Sequence, residues 1–145
     1  MSVLFTRIRP KWFTPVAQLG ILWYAAACFL VVAQYRGMAA DYAPFSAAEQ
    51  QLLASQPSWL LILQALGLLI GLWGAFMLAT KKTAAIALLT LTFLTHIGLL
   101  AQRLLATDAW SQHGQMGISQ PLLMALVSTY LLFLTYRAAT AGWLR

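Results

Sequence analysis

Charged residues are scarce in this sequence. Asp, Glu, Lys and Arg together make up 8% of its 145 residues, whereas an ordinary soluble domain contains about a quarter. Hydrophobic residues make up 61%, so the charged residues are too few to cover a globular surface in water. The composition therefore excludes a soluble domain and indicates an integral membrane protein.

Acidic residues and cysteine are both rare in this sequence. The three acids, Asp41, Glu49 and Asp108, lie outside the long apolar runs, and Cys28 is alone, which excludes an intramolecular disulfide. The sequence contains no carboxylate pair, no Ser/His/Asp or Cys/His arrangement and no glycine-rich phosphate loop. We therefore expect no catalytic residues, no enzymatic activity and no cofactor.

Basic residues outnumber acids and give the chain a net charge of +6 and a pI of about 10.0. In a soluble protein this balance would suggest nucleic-acid binding. Here the basic residues form short clusters at the ends of apolar runs, which is the pattern of membrane topology signals. The expected partner is therefore the lipid bilayer and not a nucleic acid.

Four apolar runs are long enough to cross a bilayer, because about 20 helical residues span its hydrocarbon core. The connection at 80–83 is too short to do more than turn, so the second and third runs form an antiparallel hairpin. We predict an all-α fold, an integral membrane four-helix transmembrane bundle, in a single domain over residues 1–145. The predicted spans are about 15–35, 58–79, 83–105 and 119–136, with outer loops 36–57 and 106–118. Ser46 and Glu49 have the spacing of a capping box, which predicts a short surface helix in the first loop.

The basic residues also predict the orientation. Two of them, Arg36 and Arg103, share the side that contains all three acids. The other side holds Arg7, Arg9, Lys11, Lys81, Lys82, Arg137 and Arg145. The positive-inside rule then places both termini in the cytoplasm. For a bacterial chain this means a multi-pass protein of the inner membrane.

A histidine lies near the middle of the third predicted span, and an arginine lies near its end. Polar groups at this depth are functional candidates because lipid penalises them. A hydrogen bond from the His96 imidazole to a neighbouring helix is one interpretation, and proton handling or solute contact is the other. The candidate intramembrane polar site consists of Thr92, His96, Gln102 and Arg103 from this span, with Gln18 and Gln64 from the two spans before it.

Arg36 and Arg103 each lie at the C-terminal end of a predicted span. A cation there opposes the helix dipole and reaches the headgroups. Binding of an anion or a sugar at the outer mouth of the bundle is the alternative.

Glycines recur on one face of the second span. Gly67, Gly71 and Gly74 fall at i, i+4 and i+7, a spacing that lets another helix approach closely. We interpret this glycine stripe as a helix-packing surface, with the thin wall of a ligand cavity as the alternative. The helix packed on it belongs either to this chain or to another copy.

The second outer loop brings His113 close to Met116. Both are soft ligands of the kind that suits copper, but no third ligand lies nearby. They are therefore a weak candidate, and we expect no metal site. His113 is also the only other histidine, and its loop position does not allow it to share a haem with His96.

Several short motifs occur in a recognisable order. Trp12-Phe-Thr-Pro15 and Leu22-Trp23 come first, then Phe45-Ser-Ala-Ala-Glu49-Gln and Pro57-Ser-Trp59, then Gly71 and Gly74 before the lysine turn. This order resembles a family of small, uncharacterised four-span bacterial inner-membrane proteins that are often labelled "sugar transporter". The resemblance implies four spans and a bacterial origin, and it brings no binding or catalytic residues.

Two functions remain after these exclusions. The first is a non-enzymatic accessory or interaction subunit that associates through helix packing with itself or with a larger membrane protein complex. The second is a transporter of a small neutral, sugar-like solute that works as an oligomer. Convergence of the glutamines, His96 and Arg103 on one cavity would favour transport, whereas local pairing with an outward-facing glycine stripe would favour association.

Overall fold

The computed structural model describes residues 10–35, 57–106 and 116–145, and these residues form four helices without any strand. The helices are α1 (Phe13–Tyr35), α2 (Ser58–Ala79), α3 (Ala84–Ala106) and α4 (Met116–Thr140). Each contains a stretch of 20 to 23 residues with a mean hydropathy of 1.6 to 2.1, long and apolar enough to cross a membrane. The predicted four-helix transmembrane bundle is therefore confirmed, and the chain is a multi-pass membrane protein.

The helix bounds follow the apolar runs closely. α2 has the predicted bounds, whereas α4 extends further at both ends than the predicted span 119–136. Pro121 therefore lies inside α4 and not in its first turn. A membrane helix tolerates such a proline when neighbouring groups satisfy the backbone carbonyl that loses its donor. The proposed capping-box helix at Ser46 and Glu49 lies outside the described residues, as does His113.

Each helix packs mainly against the next one along the chain, so that α2 and α3 are the central pair and α1 and α4 flank them. α2 and α4 approach each other at only a few points. Side chains bridge α1 and α4, since a Cβ atom added at Gly20 would lie 3.1 Å from both methyl groups of Leu131.

Residues from both ends of the described chain meet at one end of the bundle. The Phe13 ring lies edge-on to Trp143, with centroids 5.5 Å apart and planes at 73°. The amide of Arg145 donates to the carbonyl of Lys81 (2.7 Å), and the amide of Thr83 donates to the carbonyl of Arg145 (3.0 Å). We call this end of the bundle the terminal end. The opposite end, where α1 and α3 end and α2 and α4 begin, is called the loop end. That the terminal end faces the cytoplasm stays a prediction.

Large apolar side chains cover the outside of the bundle. Lipid accommodates such an exterior at no cost, because hydrocarbon tails are as apolar as the side chains themselves. The interior combines small residues with Tyr24 and a few leucines, and it also buries Thr92, His96, Ser128 and Thr135. The most exposed apolar side chains include Leu19, Leu22, Phe29, Leu94, Leu105, Leu126 and Phe133.

Candidate functional site

The glycine stripe of α2 lets α1 place a large ring in the middle of the bundle. A Cβ atom at Gly71 would lie 2.5 Å from Cε1 and 2.7 Å from Cζ of Tyr24, closer than any side chain tolerates. The phenol ring therefore lies directly on the backbone of α2. Glycine is required here by the close approach of the ring.

Tyr24 extends across α2 to the central histidine of α3. Its ring is nearly parallel to that of His96, with an interplanar angle of 8° and centroids 6.2 Å apart. Tyr24 is 0% exposed and His96 is 2% exposed. Neither the phenol oxygen nor either imidazole nitrogen has a hydrogen-bond partner among the described residues. The hydrogen bond from His96 to a neighbouring helix, one of the two interpretations above, is therefore not formed by this part of the chain.

The other two glycines of the stripe bring α3 close to α2. A Cβ atom at Gly67 would lie 2.8 Å from Cγ2 of Thr95, and one at Gly74 would lie 2.9 Å from Cγ of Leu89. The stripe thus packs helices of this chain against one another. Gly67 also places the backbone of α2 near His96, since its added Cβ atom would be 3.9 Å from Nε2.

A polar cavity lies between α2, α3 and α4 on the loop side of His96. Its volume is about 30 Å³. The cavity can hold about two water molecules, because one water needs roughly 10–15 Å³ of such space. The cavity is lined by Leu60 and Gln64 from α2, by His96, Leu99, Gln102 and Arg103 from α3, and by Gln120, Pro121 and Met124 from α4.

The cavity extends from mid-membrane toward the loop end. His96 lies roughly 18 Å along α3 from its first residue, Ala84, at the helical rise of about 1.5 Å per residue. Arg103 lies about 10 Å further toward the loop end. Both residues line the cavity. The cavity therefore runs along α3 from the imidazole of His96 to Arg103 near the loop end.

Most of the sequence-predicted site residues meet at this cavity. Gln64, His96, Gln102 and Arg103 all line it. Thr92 lies one turn beyond His96, buried, and its hydroxyl donates to the carbonyl of Leu88 (2.9 Å). Gln18 is exposed near the terminal end of α1, away from the other five.

Sequence reasoning missed two residues of this region, Gln120 and Tyr24. Gln120 is not part of the predicted site, although Gln120, Met124 and Ser128 recur at i, i+4 and i+8 on one face of α4. For Tyr24, the signal was a hydroxyl group in the middle of an apolar span. Its contact with His96 could not be read without knowing how α1 packs on α2.

The polar part of the cavity wall carries both hydrogen-bond donors and acceptors. Each glutamine contributes an NH₂ group and a carbonyl, and Arg103 contributes its guanidinium. The part of the chain that the structure describes does not bring together three or more His, Cys, Asp or Glu side chains. Among the described residues that line the cavity, Arg103 is the one charged side chain.

The bundle is closely packed on the terminal side of His96. Thr92 and Leu89 of α3 and Ser128 and Leu131 of α4 are all buried there. Ser128 donates to its own helix, at the carbonyl of Ala125 (3.0 Å). The cavity therefore ends at His96, next to this packed layer.

These features define a small all-α, multi-pass membrane protein with a polar cavity inside its bundle. The sequence matches no protein-family model, and neither curated proteins nor solved structures include a detectable relative.

Proposed function

We propose that this protein transports a small polar solute across its membrane and binds that solute in the cavity between α2, α3 and α4. The observation that carries the proposal is the convergence of five polar side chains from three helices on one cavity in a membrane bundle. Polar groups at membrane depth cost free energy unless they are satisfied, so a set of them around shared space favours a hydrated binding site.

The floor of the cavity supports the same function. The imidazole nitrogens of His96 have no hydrogen-bond partner among the described residues, and leaving such groups unsatisfied in the interior is costly. Water or a solute in the cavity would supply the missing partner. A role in packing alone would be served as well by an apolar side chain at this position.

Transport requires a second state in which the floor opens toward the terminal end. Tyr24 of α1 stacks on His96, which lies at the floor of the cavity, whereas the lining named above comes from α2, α3 and α4. We propose that displacement of α1 along the Gly71 surface lifts the ring away from His96. Alternating exposure of one site by movement of a helix group is a general scheme for small transporters.

The accessory role favoured by the sequence depends on a surface for another protein. The glycine stripe was the candidate surface, and its three glycines contact side chains of α1 and α3 of the same chain. The stripe therefore supports folding of the single chain, and the cavity is the feature that distinguishes this bundle. Association of several copies stays a prediction, and the cavity is formed within one copy.

The experiment is a permeability measurement on the full chain reconstituted in liposomes. Osmotic shrinking and reswelling is followed by stopped-flow light scattering with formamide, acetamide, glycerol, glucose and the potassium salts of nitrate and acetate, with valinomycin present to carry the potassium ion. We expect at least one solute to enter faster than into protein-free liposomes. The double variant Gln64→Leu/Gln120→Leu should lose this increase, because both amides line the cavity.

The control variant is Leu94→Ala, which changes a side chain that is 58% exposed on the outside of the bundle. It should transport as the wild type does. Permeability equal to that of protein-free liposomes for every solute would overturn the proposed function.

A further inference from the structure

We propose that the solute of this cavity is a small neutral amide of the formamide, acetamide or urea class. This inference rests on the transport function proposed above and narrows it to one class of substrate. It agrees with the neutral solute considered from the sequence, and it replaces the sugar by a smaller, planar molecule.

Carboxamide side chains make up most of the polar lining. Gln64 of α2, Gln102 of α3 and Gln120 of α4 all line the cavity, so each of these helices contributes one. A carboxamide has N–H donors and a carbonyl acceptor in one plane. A solute with the same group can donate to the carbonyl of a glutamine and accept from its NH₂ group at the same time. The lining therefore matches a solute that is itself an amide or a urea.

The floor of the cavity can be satisfied by an amide in either orientation of the imidazole. Neither nitrogen of His96 has a hydrogen-bond partner among the described residues, and the side chain is buried. A neutral imidazole has one N–H donor and one acceptor nitrogen. The carbonyl of an amide can accept from the first, and its NH₂ group can donate to the second. A solute with acceptors alone, such as nitrate, can pair only with the N–H.

Apolar side chains form the rest of the lining, and they favour a planar solute over a polyol. The hydrogen-bonding groups of an amide or a urea lie in the molecular plane, so its faces can contact apolar side chains without burying an unpaired polar group. The hydroxyl groups of glycerol or a sugar point in several directions, and some would be buried without a partner. The apolar lining residues are Leu60, Leu99, Pro121 and Met124.

The size of the cavity also favours the smallest members of this class. A volume of about 30 Å³ corresponds to roughly two waters, and formamide, acetamide and urea are only slightly larger than a pair of waters. A hexose is several times larger and would enter only if the helices separated. The cavity therefore selects by size as well as by hydrogen-bonding pattern.

The test compares small solutes that differ in their hydrogen-bonding groups. The full chain is reconstituted in phosphatidylcholine liposomes, and reswelling after osmotic shrinkage is followed with urea, acetamide, ethylene glycol and glycerol. Potassium nitrate with valinomycin tests a planar solute that has acceptors alone. We expect the protein to raise the entry of urea and acetamide at least about tenfold more than that of the other solutes, which is about the effect of one hydrogen bond.

The variants remove one carboxamide at a time. Gln64→Met and Gln120→Met each replace it by an apolar side chain of similar length and should lower protein-dependent urea entry about tenfold. Gln18→Met is the matched control, because Gln18 is exposed near the terminal end of α1, away from the cavity. If Gln64→Met does not fold, as judged by circular dichroism and gel filtration, Gln120→Met decides, because Gln120 is exposed at the cavity edge.

The outcomes separate the two proposals. Entry of ethylene glycol, glycerol or nitrate that equals or exceeds the entry of urea would overturn the amide assignment and leave solute transport standing. Urea entry that both glutamine variants leave unchanged would overturn this cavity as the binding site. If no solute enters faster than into protein-free liposomes, both proposals are overturned, and faster osmotic shrinkage would then assign the cavity to water.

Discussion

At the scale of single residues, the ring of Tyr24 on Gly71 determines how the middle of the bundle is built. Gly71 provides the space, Tyr24 fills it, and the His96 ring lies nearly parallel to the Tyr24 ring. One glycine in α2 therefore lets the ring of α1 reach the histidine of α3.

We predict that Gly71→Ala destabilises the bundle by about 1–3 kcal/mol, the usual cost of overpacking a core, because the new methyl group would overlap the Tyr24 ring. Thermal unfolding in detergent measures the effect. Gly98→Ala is the control, since a Cβ atom there meets nothing within 4 Å and alanine is the better helix former. The combination Gly71→Ala/Tyr24→Ala should cost less than the sum of the two single changes, and simple additivity would contradict the proposed contact.

The same scale gives a prediction for the histidine. If His96 formed a hydrogen bond to another helix, His96→Leu would remove it and destabilise the protein. The structure has no such bond among the described residues, so the substitution removes no hydrogen bond between helices of this part of the chain. We expect His96→Leu to unfold within about 1 kcal/mol of the wild type. A larger loss of stability, measured by chemical or thermal denaturation, would show that His96 has a structural role.

At the scale of helices, α2 and α4 end with the same pair of backbone hydrogen bonds, formed by different residues. At the end of α2, the amide of Lys81 donates to the carbonyl of Leu78 (3.0 Å), and that of Lys82 donates to the carbonyl of Met77 (2.8 Å). After α4, the same two bonds run from Gly142 and Trp143 to Ala139 and Ala138. This double bond pattern needs one residue of positive φ, which is Lys81 at 62° and Gly142 at 71°.

The left-handed conformation costs a residue with a side chain roughly 1–2 kcal/mol. We therefore predict that Lys81→Gly leaves the protein as stable or raises its stability by up to about 1 kcal/mol, and that Gly142→Ala lowers it by about 1 kcal/mol. Lys82→Gly, which removes the same charge outside the left-handed position, is the control and should bring no gain. If the three variants unfold at the same temperature, this explanation of the turn is contradicted.

The helices themselves could be predicted because membrane spans depend on length and apolarity alone. α2 has the bounds that its apolar run indicates. α4 is longer than the predicted span 119–136, because a membrane helix can continue through a proline, here Pro121. The partner of the glycine stripe could not be predicted, because spacing shows that something packs closely and does not show which helix it is.

At the scale of the whole molecule, the terminal end gathers residues from three parts of the chain, and its charges predict its side of the membrane. We expect Arg145→Cys, in a Cys28→Ala background, to react with an impermeant thiol reagent only after cells are permeabilised. Pro57→Cys, at the loop end and exposed, should react in intact cells and is the matched position. The reverse pattern would invert the predicted orientation.

How much of the site could be predicted also depends on whole-molecule packing. Gln64, His96, Gln102 and Arg103 were identified because each is a polar residue in an apolar run, and the structure brings all four to one cavity. Gln18 satisfied the same criterion and lies elsewhere, because nothing in a single span indicates which of its faces points inward. The direction of a helix face becomes known only from its neighbours.

The pairing of Arg145 with Lys81 and Thr83 has a consequence for biogenesis. Because a chain is synthesised from its N-terminus, residue 145 is added after the hairpin between α2 and α3. Until then the carbonyl of Lys81 and the amide of Thr83 lack these partners. Completion of the terminal end then coincides with the arrival of α4 and its tail. A reporter protein fused directly after Arg145 would strain these two hydrogen bonds, whereas a flexible spacer would let them form.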